Sequence, residues 1–262
     1  MTLDVDYLAK YLVGTAGGYL TNVNRGDGYC PVCTTPIDEG YTRCYYCNEH
    51  RRLPYASSLA DLVVPLTYAG HNRQSERLVY GYKSPLIAGS ADGEVVSAHR
   101  VTMSLVLFLG LAFHRSCIEG VSGAIDALVA VPSTKGRDEH PLADLVAPIA
   151  REQGLVQEVI SYVGPLGDKS REVHPERWSV ADPARIAGRH VAVIDDSWVS
   201  GRHPQSVAVA LKREGARAVT VVVAARLIKP SWPATKSFLA RGQLPDYNPR
   251  NCPVNVGGAC LP

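Results

Sequence analysis

The sequence predicts an α/β fold: a mostly parallel sheet with flanking helices, preceded by a small four-cysteine module. Three observations lead to this. Short apolar runs alternate with amphipathic stretches between residues 62 and 225, as strands and helices do in a layered α/β domain. One of those runs, Val191 to Ile194, ends in two carboxylates and is followed by a polar loop and the start of a helix. Near the N-terminus, Cys30, Cys33, Cys44 and Cys47 fall in the spacing C-x2-C-x10-C-x2-C.

The elements follow in order. Residues 4 to 13 place Val5, Leu8, Tyr11 and Leu12 at helical spacing, and Gly14 should end that helix. Leu62 to Tyr68 reads as a strand, and Arg73 to Lys83 as a helix stopped by Ser84-Pro85. Residues 94 to 116 form a long apolar helix. Ile125 to Val131 is a strand, followed by the polar loop Pro132 to Arg137. His140 to Gln153 carries Leu142, Leu145, Val146 and Ile149 on one helical face. Val156 to Val163 reads as one strand, and the polar stretch Gly164 to Arg177 comes after it. Pro204 in a first turn and Gly215 at the end bracket the helix after the acid pair, and Ala218 to Ala225 is the last strand. The expected division is 1–55 for an N-terminal helix and the cysteine module, 56–230 for the α/β domain, and 231–262 for a Pro-, Gly- and Cys-containing tail.

Composition narrows the function classes. The chain has 262 residues, 46% hydrophobic and 20% charged, which is ordinary for a globular protein. A net charge of +2 gives no support for nucleic-acid binding. The first residues, Met-Thr-Leu-Asp-Val-Asp, lack the basic and apolar regions of a signal peptide. The longest largely apolar run, Val101 to Phe113, is shorter than the roughly 18 residues of a membrane span. The expectation is a cytoplasmic protein with no membrane partner; a homo-oligomer is compatible with the sequence.

The chemistry concentrates in three segments. In Asp195-Asp196-Ser-Trp-Val199-Ser200-Gly201-Arg202-His203, a strand feeds a polar loop and a helix N-terminus. Free N–H groups and the helix dipole make such a loop an anion site. Two carboxylates beside a phosphate cradle suit ribose hydroxyls, held directly or through hydrated Mg2+. The loop after Val131, with Ser133, Thr134, Lys135 and Arg137, also follows a strand, where parallel sheets collect their ligands. An exposed basic turn is the alternative. Gly167 to Arg177 is polar, with Lys169, Arg171 and Arg177, and reads as a lid over the site or as a solvated connection. His140 and His174 are the candidate proton acceptors.

The seven cysteines divide unevenly. The paired C-x2-C spacing suits tetrahedral Zn2+, and a metal would hold together a segment, Tyr19 to Pro54, too poor in apolar residues for its own core. Two disulfides, four unrelated thiols or a rubredoxin-like iron site are the alternatives. His50 is expected to be a solvated neighbour of that site, because four cysteines complete the shell. Cys117 reads as a buried small hydrophobe. Cys252 and Cys260 in the tail fit a half-site for metal, a redox pair, or no joint role, and incidental placement is the favoured expectation.

The acid-pair loop resembles the phosphoribosyl-pyrophosphate (PRPP) loop of type I phosphoribosyltransferases: four apolar residues, two acids, two variable residues, Thr-Thr-Gly, any residue, then Thr. Asp195 and Asp196 match the acids, Ser200 the second threonine and Gly201 the glycine, whereas Val199 and His203 replace the other threonines. With the cysteine module in front, with Leu66-Thr-Tyr68-Ala-Gly70 and Leu78-Val-Tyr-Gly-Tyr-Lys83, and with the loop after Val131, residues 28 to 228 resemble the ComF/GntX-type phosphoribosyltransferase-like family. The family's usual Arg-Gly-Phe-Asn stretch is missing from the first loop, which continues into Asp138-Glu-His-Pro141.

The resemblance implies a type I phosphoribosyltransferase fold with a zinc-ribbon-like module. It further implies transfer of a phosphoribosyl group from PRPP with Mg2+ to an unidentified, usually nitrogen, nucleophile. Asp195 and Asp196 would hold the ribose. Val199, Ser200, Gly201, Arg202 and His203 would line the 5′-phosphate site, and Ser133, Thr134, Lys135 and Arg137 the pyrophosphate site. With the lid closed, Lys169, Arg171 and Arg177 would neutralise charge growing on the leaving pyrophosphate. The alternative is a non-catalytic protein that binds PRPP or a nucleotide while its zinc module contacts nucleic acid or protein, in a DNA-uptake role.

Overall fold

The structure is a computed structural model that describes residues 3–87, 89–135, 140–167, 170–241 and 247–260. Arg137 and Lys169 lie outside the described residues.

In chain order the helices are α1 (Val5–Ala16), α2 (Tyr45–His50), α3 (Gln74–Gly81), α4 (Ala91–Ser122), α5 (Pro141–Glu152), α6 (Arg202–Arg213) and α7 (Pro233–Ala240). The strands are β1 (Leu62–Gly70), β2 (Ala127–Ala130), β3 (Val156–Glu158), β4 (Ile160–Tyr162), β5 (Trp178–Val180), β6 (His190–Trp198) and β7 (Ala218–Ile228). Five strands form one sheet in the order β1-β7-β6-β2-β3, every neighbour parallel. β4 and β5 pair separately as an antiparallel ribbon.

The mostly parallel α/β sheet is as expected, and its strands β6 and β7 are buried on both faces, as strands covered on both sides must be. Alternate residues of β6 show the two layers. Ala192 and Ile194 join a core with Leu12 of α1, Leu107 of α4 and Val146 of α5. Val191 and Val193 join another with Val207 and Leu211 of α6 and with Cys30, Cys33 and Cys47. So α1, α4 and α5 cover one face, and α6 and the cysteine module the other. α1 therefore belongs to the helical layer of the sheet, and not to the module that follows it in sequence.

Several boundaries differ from expectation. α1 starts on Asp4, which caps it by accepting from the Tyr7 amide, and runs through Gly14 to Ala16, which is buried on the same core as Leu12. α4 extends to 32 residues, long and apolar enough by length and composition to cross a membrane. Half of its apolar window is buried inside the protein. Gly110 sits where α4 crosses β1; a Cβ there would come within 2.5 Å of Leu66. Val156 to Val163 is two strands and not one. Val159 is exposed, and the chain leaves the main sheet there to pair with β5.

The crossovers define the ligand position. After β2 the chain goes to α5 and the outer strand β3; after β6 it goes to α6 on the opposite face and to β7. The sheet's topological switch point lies between β2 and β6, where a crevice opens at the strands' C-terminal ends.

Candidate functional site

That crevice is a cleft of about 1140 Å3. Among the described candidates, Ser133, Thr134, Lys135, Arg171, Asp195, Asp196, Val199, Ser200, Gly201, Arg202 and His203 all line it. Segments read separately in the sequence thus converge on one wall system.

The acid pair sits inside β6, not in the loop after it. The strand continues to Trp198, and Asp195 pairs in register with Val223. Both carboxylates are buried. Asp195 accepts the Asp196 amide at 2.9 Å, and burial, then the neighbouring Asp196, push its carboxyl up to about 8 against the pull of Lys83. Asp196 projects to the other face of the strand. Its Oδ2 accepts from Tyr82 Oη at 2.8 Å and lies 2.5 Å from Lys83 Nζ, and its Oδ1 accepts from Ser197 Oγ at 2.7 Å. Tyr82 and Lys83 come from the end of α3. Sequence reading marked their segment without giving them a role; no local spacing links Lys83 to an acid 113 positions away.

The loop from β6 to α6 is only Val199, Ser200 and Gly201, so Arg202 and His203 open the helix and do not belong to the loop. Gly201 has φ +80, and a Cβ there would meet the Trp198 ring at 2.1 Å. Only glycine permits this turn. Ser200 is buried beside it. Val199 packs against Ala69, Val79, Ala225 and Leu227, so its side chain completes an apolar cluster. The His203 ring meets the edge of Trp178 in β5, at 5.9 Å between centroids.

The opposite wall carries Ser133 Oγ, which accepts from the Lys135 amide, while the Thr134 carbonyl accepts from Gly167 N at 2.9 Å. Residues 170–177, ahead of β5, reach the cysteine module. Arg171 Nη1 donates to Tyr46 Oη at 2.6 Å, and Tyr55 Oη donates to the Val173 carbonyl at 2.6 Å. His140 lines the cleft, and its Nδ1 caps α5 by accepting from Ala143 N. His174 is not among the residues lining the cleft. It is held by Ser170, Glu172 and Glu176.

Charge and shape describe the ligand class. Lining the cleft are Arg43, Lys83, Lys135, Arg171, Arg202, Arg226 and Lys229 against Asp38, Asp195 and Asp196. A concave surface with this excess of positive charge concentrates polyanions. Its outer wall is aromatic: Tyr45 and Tyr46 of α2 meet edge-on at 5.3 Å, and Trp232 lies 6.5 Å from Tyr45.

The cysteine module abuts this wall. Cys30 and Cys33 lie on a hairpin turn closed by Thr34 N to Cys30 O and Cys30 N to Thr35 O, both at 2.8 Å. Cys44 precedes α2 and Cys47 lies in its first turn. The four sulfurs lie within 4.8 Å of one another, compatible with a structural metal ion. Hydrogen bonds among the sulfurs lower Cys30 and raise Cys44 and Cys47 relative to an ordinary thiol. His50 is outside this group. Contrary to the expectation of a solvated residue, it is buried, and burial pulls its imidazole down to about 4.

A second group is equally compact. His114, Cys117, Cys252 and Cys260 bring their ligand atoms within 4.8 Å of one another, so the tail cysteines meet two residues of α4 in space. Cys117 is only partly buried. Compared with the models of known protein families and with curated proteins, the chain gives no match.

Proposed function

We propose that this protein is a phosphoribosyltransferase-like enzyme whose cleft binds PRPP or a related phosphoribosyl ligand. The observation that carries the reading is the acid pair of β6, buried at the switch point and followed five residues later by a left-handed glycine at the N-terminus of α6. In this reading the amides at the start of α6 and Ser200 hold the 5′-phosphate, helped by Arg202. Asp195 and Asp196 hold the ribose hydroxyls. Lys135 and Arg171 face the pyrophosphate and stabilise the charge it gains on leaving. The C1–O bond breaks with its electron pair going to pyrophosphate, while the nucleophile forms a bond to C1 and passes its proton to the leaving pyrophosphate. The aromatic wall of Tyr45, Tyr46 and Trp232 suits a planar acceptor.

The cofactor reading follows from the donor sets. Sulfur ligands at 2.3 Å in a tetrahedron around Zn2+ stand about 3.8 Å apart; Cys33 and Cys44 sulfurs are 3.5 Å apart. Four thiolates around Zn2+ carry two negative charges. Arg226, buried and interacting with Cys33, Cys44 and Cys47, and Arg25, which interacts with Cys33 and Cys30, offset them. Mg2+ would arrive with the pyrophosphate, since Asp196 already accepts from Tyr82, Lys83 and Ser197.

A second reading, binding without turnover, is favoured by Val199. Its side chain lies in an apolar cluster where a threonine hydroxyl would meet phosphate. One experiment separates the two. Millimolar PRPP with Mg2+ should raise the melting temperature of the wild type, and Asp195→Asn with Asp196→Asn should abolish the shift. Pyrophosphate release in the presence of candidate planar acceptors then marks an enzyme; a shift without release marks a binding protein. No shift in the wild type would sink both.

A further inference from the structure

We propose that His114, Cys117, Cys252 and Cys260 form a second zinc site, which fastens the C-terminal segment to α4. This goes beyond the phosphoribosyl reading and does not depend on it.

The four side chains come from two places. His114 and Cys117 are three positions apart on α4 and so share one face. Cys252 and Cys260 lie in the tail, whose chain turns back on itself between them. Cys252 N donates to the Gly258 carbonyl at 2.7 Å, and Gly257 and Gly258 take φ of +81 and +74, a turn that side chains with a Cβ rarely adopt. The sequence spacing of the cysteines alone could not show this, because half of the ligands lie more than 130 positions upstream.

The histidine is already oriented as a ligand. Its Nε2 lies 2.9 Å from the Pro249 carbonyl, which can only accept, so Nε2 carries the proton. Nδ1 then presents its lone pair to the sulfurs, and Cys260 Sγ lies 3.3 Å from it. A backbone carbonyl that fixes the tautomer from behind is the usual support of a metal-binding imidazole. The carbonyl comes from the tail itself, so the residue that would be fastened also orients the ligand.

Three soft thiolates and one imidazole, all within tetrahedral reach, are a donor set for Zn2+ rather than for an oxygen-seeking cation. Binding would release the thiol protons to solvent and leave a complex of net charge −1. The tail has reason to need the fastening. Beyond Tyr247, Cys252 and two prolines, which are buried, and Val254, which touches the main core, it is rich in Asn and Gly and has no core of its own.

A disulfide between two of these cysteines is the competing arrangement. It would use two sulfurs and leave a thiol and the Nδ1 lone pair with no common partner.

Metal analysis of the full-length protein, purified without chelators, separates the cases. The proposal expects about two zinc ions per chain in the wild type and about one in Cys260→Ser. Cys260 is exposed, so this variant creates no cavity. Cys44→Ser reports on the N-terminal group separately, so failure of either assignment is recognisable by itself. In cobalt-substituted protein, Cys260→Ser should also lower the thiolate-to-cobalt absorption. About one zinc per chain, unchanged by Cys260→Ser, would overturn the proposal, and so would an intact mass two hydrogens light with Cys252 or Cys260 oxidised.

Discussion

Asp195 is buried near the end of an apolar strand, with a second carboxylate next to it and Lys83 on that neighbour. Its carboxyl is pushed up to about 8, whereas an unfolded-chain aspartate titrates near 3.9. Between these values the folded protein holds a proton that the unfolded chain has released. Stability therefore falls as pH rises from about 4 to about 8 and levels off above that. Asp195→Asn keeps an oxygen for the Asp196 amide and cannot ionise. Its melting temperature relative to the wild type should climb across that window, by about 2–4 °C for each kcal/mol relieved. Parallel melting curves from pH 5 to 9 check this, and a constant difference would mean that Asp195 is ionised throughout. The position of the acid pair near the end of a sheet strand was legible in the sequence, since an apolar run leads into it. Lys83 was not, because its partnership depends on where α3 ends in space.

At the scale of elements, the turn from β6 to α6 was read correctly in kind and shifted in position. The apolar run suggested a strand ending before the acids, but ladder pairing with β7 carries the strand on to Trp198. That shortens the loop and moves Arg202 and His203 into the first turn of α6. A cationic side chain there opposes the helix dipole, an arrangement that favours a bound anion to offset it. Arg202→Ala should weaken ribose 5-phosphate binding about tenfold, as expected for one charge-assisted hydrogen bond of roughly 1.5 kcal/mol. His203→Ala should cost less, because its ring lies against Trp178. Calorimetry decides it; equal affinities for both variants and the wild type would assign the phosphate to backbone amides alone. The ribbon of β4 and β5 was invisible in the sequence for a different reason. The apolar residues on both sides of Val159 read as one run, and only the partner strand shows that the chain changes sheet.

Across the whole molecule, Arg25 connects parts that sequence distance keeps apart. It donates to the carbonyls of Pro31, between Cys30 and Cys33; of Val63, in β1; and of Pro253, next to Cys252. One guanidinium thus bridges the N-terminal cysteine turn, the sheet and the tail. Its five fixed donors suit three carbonyls in different directions, which a lysine ammonium on a flexible stem cannot match. Arg25→Lys keeps the charge near both cysteine groups and loses this bridging geometry. With about 1 kcal/mol for each of three hydrogen bonds, two of them partly buried, the variant should melt roughly 6–12 °C lower. If Arg25 couples the two ends, metal should also leave both cysteine groups faster when the variant is challenged with a chelator. A fall in melting temperature with unchanged release from both groups would make Arg25 a support of the β1 edge alone. Faster release from only the N-terminal group would show that the tail is held independently, by α4 and its own ligands.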